Sequence, residues 1–314
     1  MKKMILSRLW QLMIVLFILS LATFILMKLA PGDPVRTILK TDEVAVTVTE
    51  EEALRAELGF DQPLLIQYGQ WLFRLIQLDL GHSYISQKPV IKEIGSRFLP
   101  TLYLTLGGLA VMLFLSFILG TLAAIYHQRL IDHVSRIIAF LGASVPTFWL
   151  GLLLIYWFSY KLDLLPSFGS GSVQHLILPS LTLGLGMSAV YARLLRAGLL
   201  ESFTQEYIRA ARARGLGEVS ILFRHSLRAA LLPVMTMFGM SFGALLGGSV
   251  VVENLFSWPG LGKMVVEAIL RRDYPVIQGY ILFTGALVVI VNLVVDLSYR
   301  FLDPRIRLGG EESR

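Results

Sequence analysis

Cysteine is absent from the 314 residues, which removes a disulfide framework, a thiolate metal site and a cysteine nucleophile from consideration. Charge is scarce as well: Asp, Glu, Lys and Arg make up 16% of the chain against 55% hydrophobic residues, and the mean hydropathy is +0.68. A soluble domain carries roughly 45–50% apolar and about 25% charged residues, so an ordinary soluble fold is excluded. No G-x-x-x-x-G-K-[ST] occurs. The nearest approach, Gly262-Lys263-Met264, lacks the upstream glycine and the Ser or Thr, so the chain brings no phosphate cradle of its own. The five histidines, His82, His127, His133, His175 and His225, sit in loops or at helix ends with no closely spaced cluster of His, Asp or Glu. Internal duplication is also missing, which weakens an inverted-repeat secondary transporter.

Long apolar runs take the place of these features, at about 9–27, 101–126, 137–160, 176–192, 232–252 and 276–297. Each is near the roughly 20 residues that a helix needs to cross the hydrocarbon core. They predict an all-α integral membrane protein of about six transmembrane helices. The first run follows Lys2, Lys3 and Arg8 and has no small-x-small site after it. It exceeds the 7–15 residues typical of a signal h-region, so it reads as a retained helix entering from inside. Basic residues gather at the N-terminus, at 127–136, from Arg193 to Arg228 and in the tail from Arg300, whereas the two shorter loops opposite hold only Lys161, Lys263, Arg271 and Arg272. By the positive-inside rule the N-terminus, the C-terminus and the 193–231 island are expected on the cytoplasmic side. The expected organisation is an N-terminal transmembrane helix (1–30), an extracytoplasmic subdomain (31–99), a multi-span core (100–302) and a cytoplasmic tail (303–314). The net charge of +6 and pI near 9.5 follow from the same flanking segments, so membrane lipid, not nucleic acid, is the partner they imply.

Carboxylates are in excess in the outer segment, where Thr49 and Glu52 have capping-box spacing and the helix is expected to stop at Gly59. Residues Phe60, Tyr68, Trp71, Leu72, Phe73, Leu75, Ile76 and Leu78 suit a helix on the membrane surface or against other helices. Small residues recur at four-residue spacing as Gly239, Gly243 and Gly247, and as Ser116, Gly120 and Ala124; such faces let helices approach closely in lipid. Gly239-Met-Ser241-Phe-Gly243 fits the G-x-S-x-G pattern, but a nucleophile elbow needs a strand-to-helix turn and this stretch reads as an apolar helix. His175, Met235, Met237 and Met240 are weak candidates for a metal path, since thioether and imidazole suit soft and borderline ions; core packing is the ordinary role of methionine. Trp258-Pro-Gly260 marks a turn or broken helix with an aromatic at interface depth. Asp296, one turn from Asn292 and four residues before Arg300, reads as a functional acid or a structural ion pair.

The stretch Glu206–Pro233, EYIRAARARGLGEVSILFRHSLRAALLP, is polar and basic amid apolar surroundings. Arg193, Arg196, Arg209, Arg212, Arg214, Arg224 and Arg228 face only Glu201, Glu206 and Glu218. Ser202 and Gln205 have capping-box spacing, which predicts a helix through Tyr207, Ala210 and Ala211 ending near Gly215 or Gly217, then a second helix leading to Pro233. Such a piece either lies on anionic headgroups or offers a rigid knob to a cytoplasmic partner.

This segment resembles the cytoplasmic coupling loop of ABC importer permeases of the dipeptide, oligopeptide and nickel class. In that class an Ala-Ala pair is followed by a glycine and then by Leu-Pro. Arg209 stands where the general permease motif has an acid, and the interval from Gly215 to Pro233 is longer than in the general form. Pro31-Gly-Asp-Pro34, Asp79-Leu-Gly81 with Ser83 and Pro89-Val90, FLGASVPTFWLG from Phe140, HLILPS from His175, ENLFSWPGLG from Glu253, RDYPVIQ from Arg272 and Asp303-Pro-Arg305 extend the resemblance through nearly the whole chain. The resemblance implies a multi-pass transport subunit of a bacterial inner membrane that is not itself an enzyme. Its implied partners are a second homologous permease, two ATPase subunits holding ATP and Mg, and an extracytoplasmic substrate-binding protein. It further implies that Glu206, Tyr207, Arg209, Ala210, Ala211, Arg214, Gly215 and Leu216 couple to the ATPase. QYGQWLFRLIQLDLGHSYISQKPV and the loop from Leu165 to His175 look closer to nickel permeases, so a nickel chelate is the expected cargo. A short peptide is the alternative, and an ATP-independent channel or secondary transporter the alternative of another class.

Overall fold

In the computed structural model the described residues are 2–29, 34–39, 47–57, 59–246 and 249–302. They are helical almost throughout. The order is α1 (Lys2–Leu29), α2 (Pro34–Leu39), α3 (Val48–Glu57), α4 (Leu64–Ile76), α5 (Val90–Ile125) and α6 (Leu130–Ser144). Next come α7 (Thr147–Leu154), which runs on as a π-helical segment Ile155–Lys161, then α8 (Val173–Phe203), α9 (Glu206–Ala213) and α10 (Glu218–Ile221). A second π-helical stretch, Leu222–Ser226, leads into α11 (Leu227–Leu246), followed by α12 (Val250–Leu255), α13 (Leu261–Leu270) and α14 (Tyr274–Leu302). Among the described residues four helices are long and apolar enough to cross a membrane, and two bent pairs raise the number to as many as six. The all-α membrane architecture expected from the apolar runs is therefore what the chain forms.

One of the expected spans is broken at a proline, and another is bent at a proline where it begins. The third bends by 102° between Leu130–Gly142 and Thr147–Lys161. Val145 precedes Pro146, whose ring disfavours the α region for its neighbour, and Val145 accordingly sits at φ −81, ψ 125. The fifth bends by 51° between Glu218–Leu231 and Pro233–Leu246, where Pro233 supplies no N–H to the helix ladder.

The chain divides into two compact units, one built from Met1–Thr101 and Pro259–Arg314, the other from Leu102–Trp258. In the first, α1 packs along α14, closely enough that a Cβ on Gly285 would lie 2.3 Å from Leu19. The amphipathic α4 lies against α1, with Tyr68 and Trp71 around Phe24 and the Tyr68 hydroxyl 2.9 Å from that of Ser20. The helix preceding it is capped two residues earlier than its sequence spacing suggests. The N–H and hydroxyl of Thr47 both reach the Glu50 carboxylate at 2.9 Å, so the reciprocal pair is Thr47 and Glu50, not Thr49 and Glu52. A second core joins Val90 and Ile94 of α5 to Leu261, Met264 and Ala268 of α13 and Tyr274 and Ile277 of α14.

In the second unit α8 is the centre, contacting α6, α7, α11 and α12. The Ser116, Gly120 and Ala124 face of α5 is buried, and a Cβ on Gly120 would sit 2.8 Å from the Ala192 carbonyl of α8. Such contact is what lets apolar helices associate in lipid. Trp258 is packed with Leu104, Leu178, Val252 and Phe256.

Candidate functional site

The basic island begins where α8 runs on beyond its apolar part to Phe203. Ser202, expected to open a new helix, is inside α8 and 3% exposed; its hydroxyl lies 2.8 Å from the Tyr207 hydroxyl and pins the next helix to the end of this one. The break comes at Gln205, whose φ −71 and ψ 149 are extended, and α9 follows.

Its far end is a Schellman motif. The Gly215 N–H reaches the Arg212 carbonyl at 2.9 Å and the Leu216 N–H reaches the Ala211 carbonyl at 3.2 Å, with Gly215 at φ +80, the left-handed conformation that glycine adopts without strain. Leu216 then folds onto a miniature core of Ile208, Ala211 and Ile221, each 0% exposed. Gly217 restarts the chain in an extended conformation before α10. Across this turn Arg212 grips Glu218 with both prongs, Nε to Oε1 at 2.8 Å and Nη2 to Oε2 at 3.1 Å, and that hydrogen-bonded carboxylate raises the guanidinium above its ordinary pKa.

Of the eight residues expected to couple, the structure sorts six outward and two inward. Glu206, Tyr207, Arg209, Ala210, Arg214 and Gly215 are exposed. Ala211 and Leu216 belong to the inner face, so Ala211, expected to lie in a partner's groove, instead supports the knob from within. Ile208, which the sequence reading passed over, is its centre. The signal was there: Ile208 and Ala211 are three apart on one helix face, and Leu216 and Ile221 are the next apolar residues fit to close on it.

A second arginine was also missed. Arg196, near the end of α8, holds Asp132 at the start of α6, Nε to Oδ1 at 2.8 Å and Nη2 to Oδ2 at 2.7 Å. His127 Nδ1 stands 3.1 Å from Arg196 and 3.4 Å from Asp132. Asp132 is the single acid among residues 127–136, which is the mark that could have singled it out.

The remaining candidates do not converge. Gly239 and Gly243 are buried and Gly247 lies outside the described residues. Ser241 is within α11, where its hydroxyl accepts a 2.7 Å hydrogen bond from Tyr191 of α8; the strand-to-helix setting of a nucleophile elbow is not what surrounds it. Met235, Met237 and Met240 are 37%, 36% and 64% exposed, so they fill no core in this chain, contrary to their ordinary role. His175 Nδ1 pairs with the Ser172 hydroxyl at 2.8 Å. Among the described residues no three His, Asp or Glu side chains come together as metal ligands. The Asp296 side chain and the 303–314 tail lie outside the described ones.

Comparison with known proteins places these features in context. Residues 116–308 match the family described as binding-protein-dependent transport system inner membrane component, and residues 1–105 match the N-terminal region described for the same systems. The glutathione transport system permease protein GsiC of Escherichia coli O6:H1 is 44% identical over 303 residues, covering 96% of this chain and 98% of that protein. Its counterpart in Shigella flexneri serotype 5b is 43% identical over the same length. Among solved structures, an inward-facing form of the MetNI methionine ABC transporter matches with a TM-score of 0.58 at 20% identity, covering 68% of this chain and 97% of the matched one. That likeness concerns the fold alone.

Proposed function

Because the chain belongs to the binding-protein-dependent transport system inner membrane component family, as a membrane subunit of ABC importers without an ATP site of its own, we propose that its cargo is a small peptide of the glutathione kind. The observation that carries the choice of cargo is the 44% identity over nearly the full length to a glutathione permease. Nickel, the first expectation from the sequence, has no comparable support, and the peptide alternative takes its place. Membership of this family also sets aside the ATP-independent channel and the secondary transporter.

In this reading the subunit pairs with a second permease, two ATPase subunits hold ATP and Mg, and an extracytoplasmic protein delivers the peptide. The N-terminus, the C-terminus and the 193–231 island face the cytoplasm. The knob of α9 with its Schellman turn is the part that an ATPase grips, through Glu206, Tyr207, Arg209, Ala210 and Arg214 on its outer face. Ala211 and Leu216 give that face a rigid back and Gly215 sets its angle. Rigidity is what coupling demands, since a soft knob would absorb the ATPase's motion in its own bending. ATP-driven closure of the ATPase dimer would move α9, and α8, pinned to it at Ser202 and Tyr207, would carry the motion into the membrane.

The experiment is uptake in cells lacking their own glutathione and nickel importers, with the whole operon supplied. Labelled glutathione should accumulate and labelled nickel should not. Nickel uptake without glutathione uptake would return the cargo to the metal.

A further inference from the structure

A cavity of about 410 Å3 lies in the first unit, between the loop at 83–88, the first turns of α5 and the corner of α13 and α14. Four cations line it, Lys88, Lys92, Arg97 and Arg271, along with the hydroxyl-bearing Ser86 and Ser96. Three carboxylates share the wall, each with a partner of its own, and leave the lining one positive charge in excess. Asp273, 3% exposed, accepts hydrogen bonds from the Ser83 hydroxyl and the Tyr84 N–H. Glu93 accepts one from Ser86. Glu267 faces Lys263, one turn away at 3.7 Å. Among the described residues no ion pair joins any of these carboxylates to the four lining cations.

The sequence marks the same place. Carboxylates outnumber bases in the segment from 31 to 79, yet between Gly81 and Leu99 Lys88, Lys92 and Arg97 stand against Glu93 alone. Like charges around one volume repel, and an anion bound among them relieves the repulsion while the surrounding field draws it in. The wall is also formed in advance. His82 and Pro89 pair across the loop, the Gln87 N–H reaches the Ser83 carbonyl at 3.1 Å, and Asp273 ties the loop to α14. A ligand therefore has little to order on arrival. The volume falls within the roughly 300–1,000 Å3 of small-molecule sites.

We propose that this cavity is a subsite for the carboxylates of a small anionic peptide, on the extracytoplasmic side of the first unit. It rests on the peptide-importer reading above and gives that importer a chemical preference. Glutathione bears more carboxylates than ammonium groups and is a net anion at neutral pH. Its carboxylates pair with the lining cations.

The test uses the whole importer in nanodiscs of zwitterionic lipid, without nucleotide or binding protein, and titrates labelled glutathione by equilibrium dialysis. Saturable binding is expected, weakened about tenfold when the carboxylates are capped as ethyl esters and about tenfold in Lys92→Gln/Arg271→Gln, as loss of a charge-assisted contact predicts. Lys88→Gln, which removes one of the four lining cations and not two, should shift binding in the same direction by less. Equal binding of ester and free peptide, or of the double variant and the natural chain, overturns the assignment. So does competition by phosphatidylglycerol without any effect of capping, which hands the site to a lipid headgroup. Uptake in cells separates this failure from failure of the importer reading: glutathione uptake with a cavity indifferent to carboxylates removes only the subsite. Carboxylate-dependent binding by an importer that takes up no glutathione keeps the subsite and removes the cargo.

Discussion

Two arginines of the second unit grip a carboxylate with both prongs, and the geometry of the two pairs is nearly the same. Arg196 meets Asp132 at 2.8 and 2.7 Å, and Arg212 meets Glu218 at 2.8 and 3.1 Å. They differ in cover and in reach. The side chains of Arg196 and Asp132 are 20% and 1% exposed, while those of Arg212 and Glu218 are 44% and 69% exposed. The first pair joins α8 to α6 across 64 residues of chain; the second spans one turn. Asp132 also accepts the Gln128 N–H at 3.0 Å, so protein groups have replaced its water, whereas Glu218 keeps much of its own. Equal distances therefore carry unequal weight. A bridge that holds two helices together has to be stripped of solvent, and one that remains wet decorates a turn that other forces have made.

The largest effect should follow from breaking the covered pair. Arg196→Met removes the charge and both hydrogen bonds but keeps the length of the stem, leaving Asp132 with His127 and the Gln128 N–H. Removing one partner of a deep pair costs about 3–5 kcal/mol. Arg196 keeps 20% of its side chain exposed, so the loss expected is about 2–3 kcal/mol, within the range for hydrogen bonds to a charged group. A lowered melting temperature of the purified complex would show it, and Asp132→Leu/Arg196→Met should recover much of the loss. If the single variant melts with the natural chain, cover does not distinguish the two pairs.

Next in size is Gly215, the residue that folds Arg212 back toward Glu218. A β-branched side chain at φ +80 is strained by about 1–2 kcal/mol, and nothing lies within 4 Å of the position its Cβ would take, so the cost is conformational and not steric. Gly215→Val should uncouple ATP hydrolysis from uptake or loosen the ATPase, while Gly215→Asn, which tolerates the left-handed region, should stay close to natural. Measuring bound ATPase and stimulated hydrolysis in both separates the turn from lipid contact. If the basic face alone mattered, both variants would couple normally and Arg209→Gln with Arg214→Gln would not.

Periodicity and composition made the membrane class, the spans and the glycine turn legible in the sequence, because each depends on neighbours a few residues apart. Gly215 stands just past the end of an Ala-rich helix, where the αL position is commonly taken and glycine takes it without strain. The starts of α9 and α3 were displaced by a few residues for a related reason: Ser202 and Thr49 have capping spacing, but an N-cap residue needs non-helical backbone angles, and Ser202 is still inside α8 while Thr49 is already inside α3. What could not be read was anything joining distant residues. Arg196 counted as loop charge and Asp132 went unremarked, and nothing local distinguishes an arginine that will reach 64 residues back from one that will face water. Ala211 looked available because alanine gives no sign of which way its helix face turns until Ile208 and Ile221 are seen to share it.

A neutral bond of intermediate cover sharpens the scale. Ser241→Ala deletes the acceptor of the Tyr191 hydroxyl between α11 and α8, and the expected loss is about 1 kcal/mol, the net worth of an ordinary hydrogen bond. Thermal melting should place it below Arg196→Met, with uptake retained. Loss of uptake at normal melting would give the hydroxyl a part in transport that packing does not explain.

The smallest effect belongs to the wet pair. Glu218→Gln keeps the shape and one acceptor and removes the charge; exposed pairs of this kind contribute about 0–1 kcal/mol and less as salt rises. Melting and ATPase content should be indistinguishable from natural at physiological salt, with any difference visible only at low ionic strength, because Leu216 on Ile208 and the hydrogen bonds of the Schellman turn already hold the knob. The informative control is Ile208→Ala, which empties the miniature core without touching a charge and should cost more than Glu218→Gln in ATPase retention. Were Glu218→Gln the more damaging of the two, the knob would be held by its charges, and solvent cover would fail as the measure of what a bidentate arginine is worth in this chain.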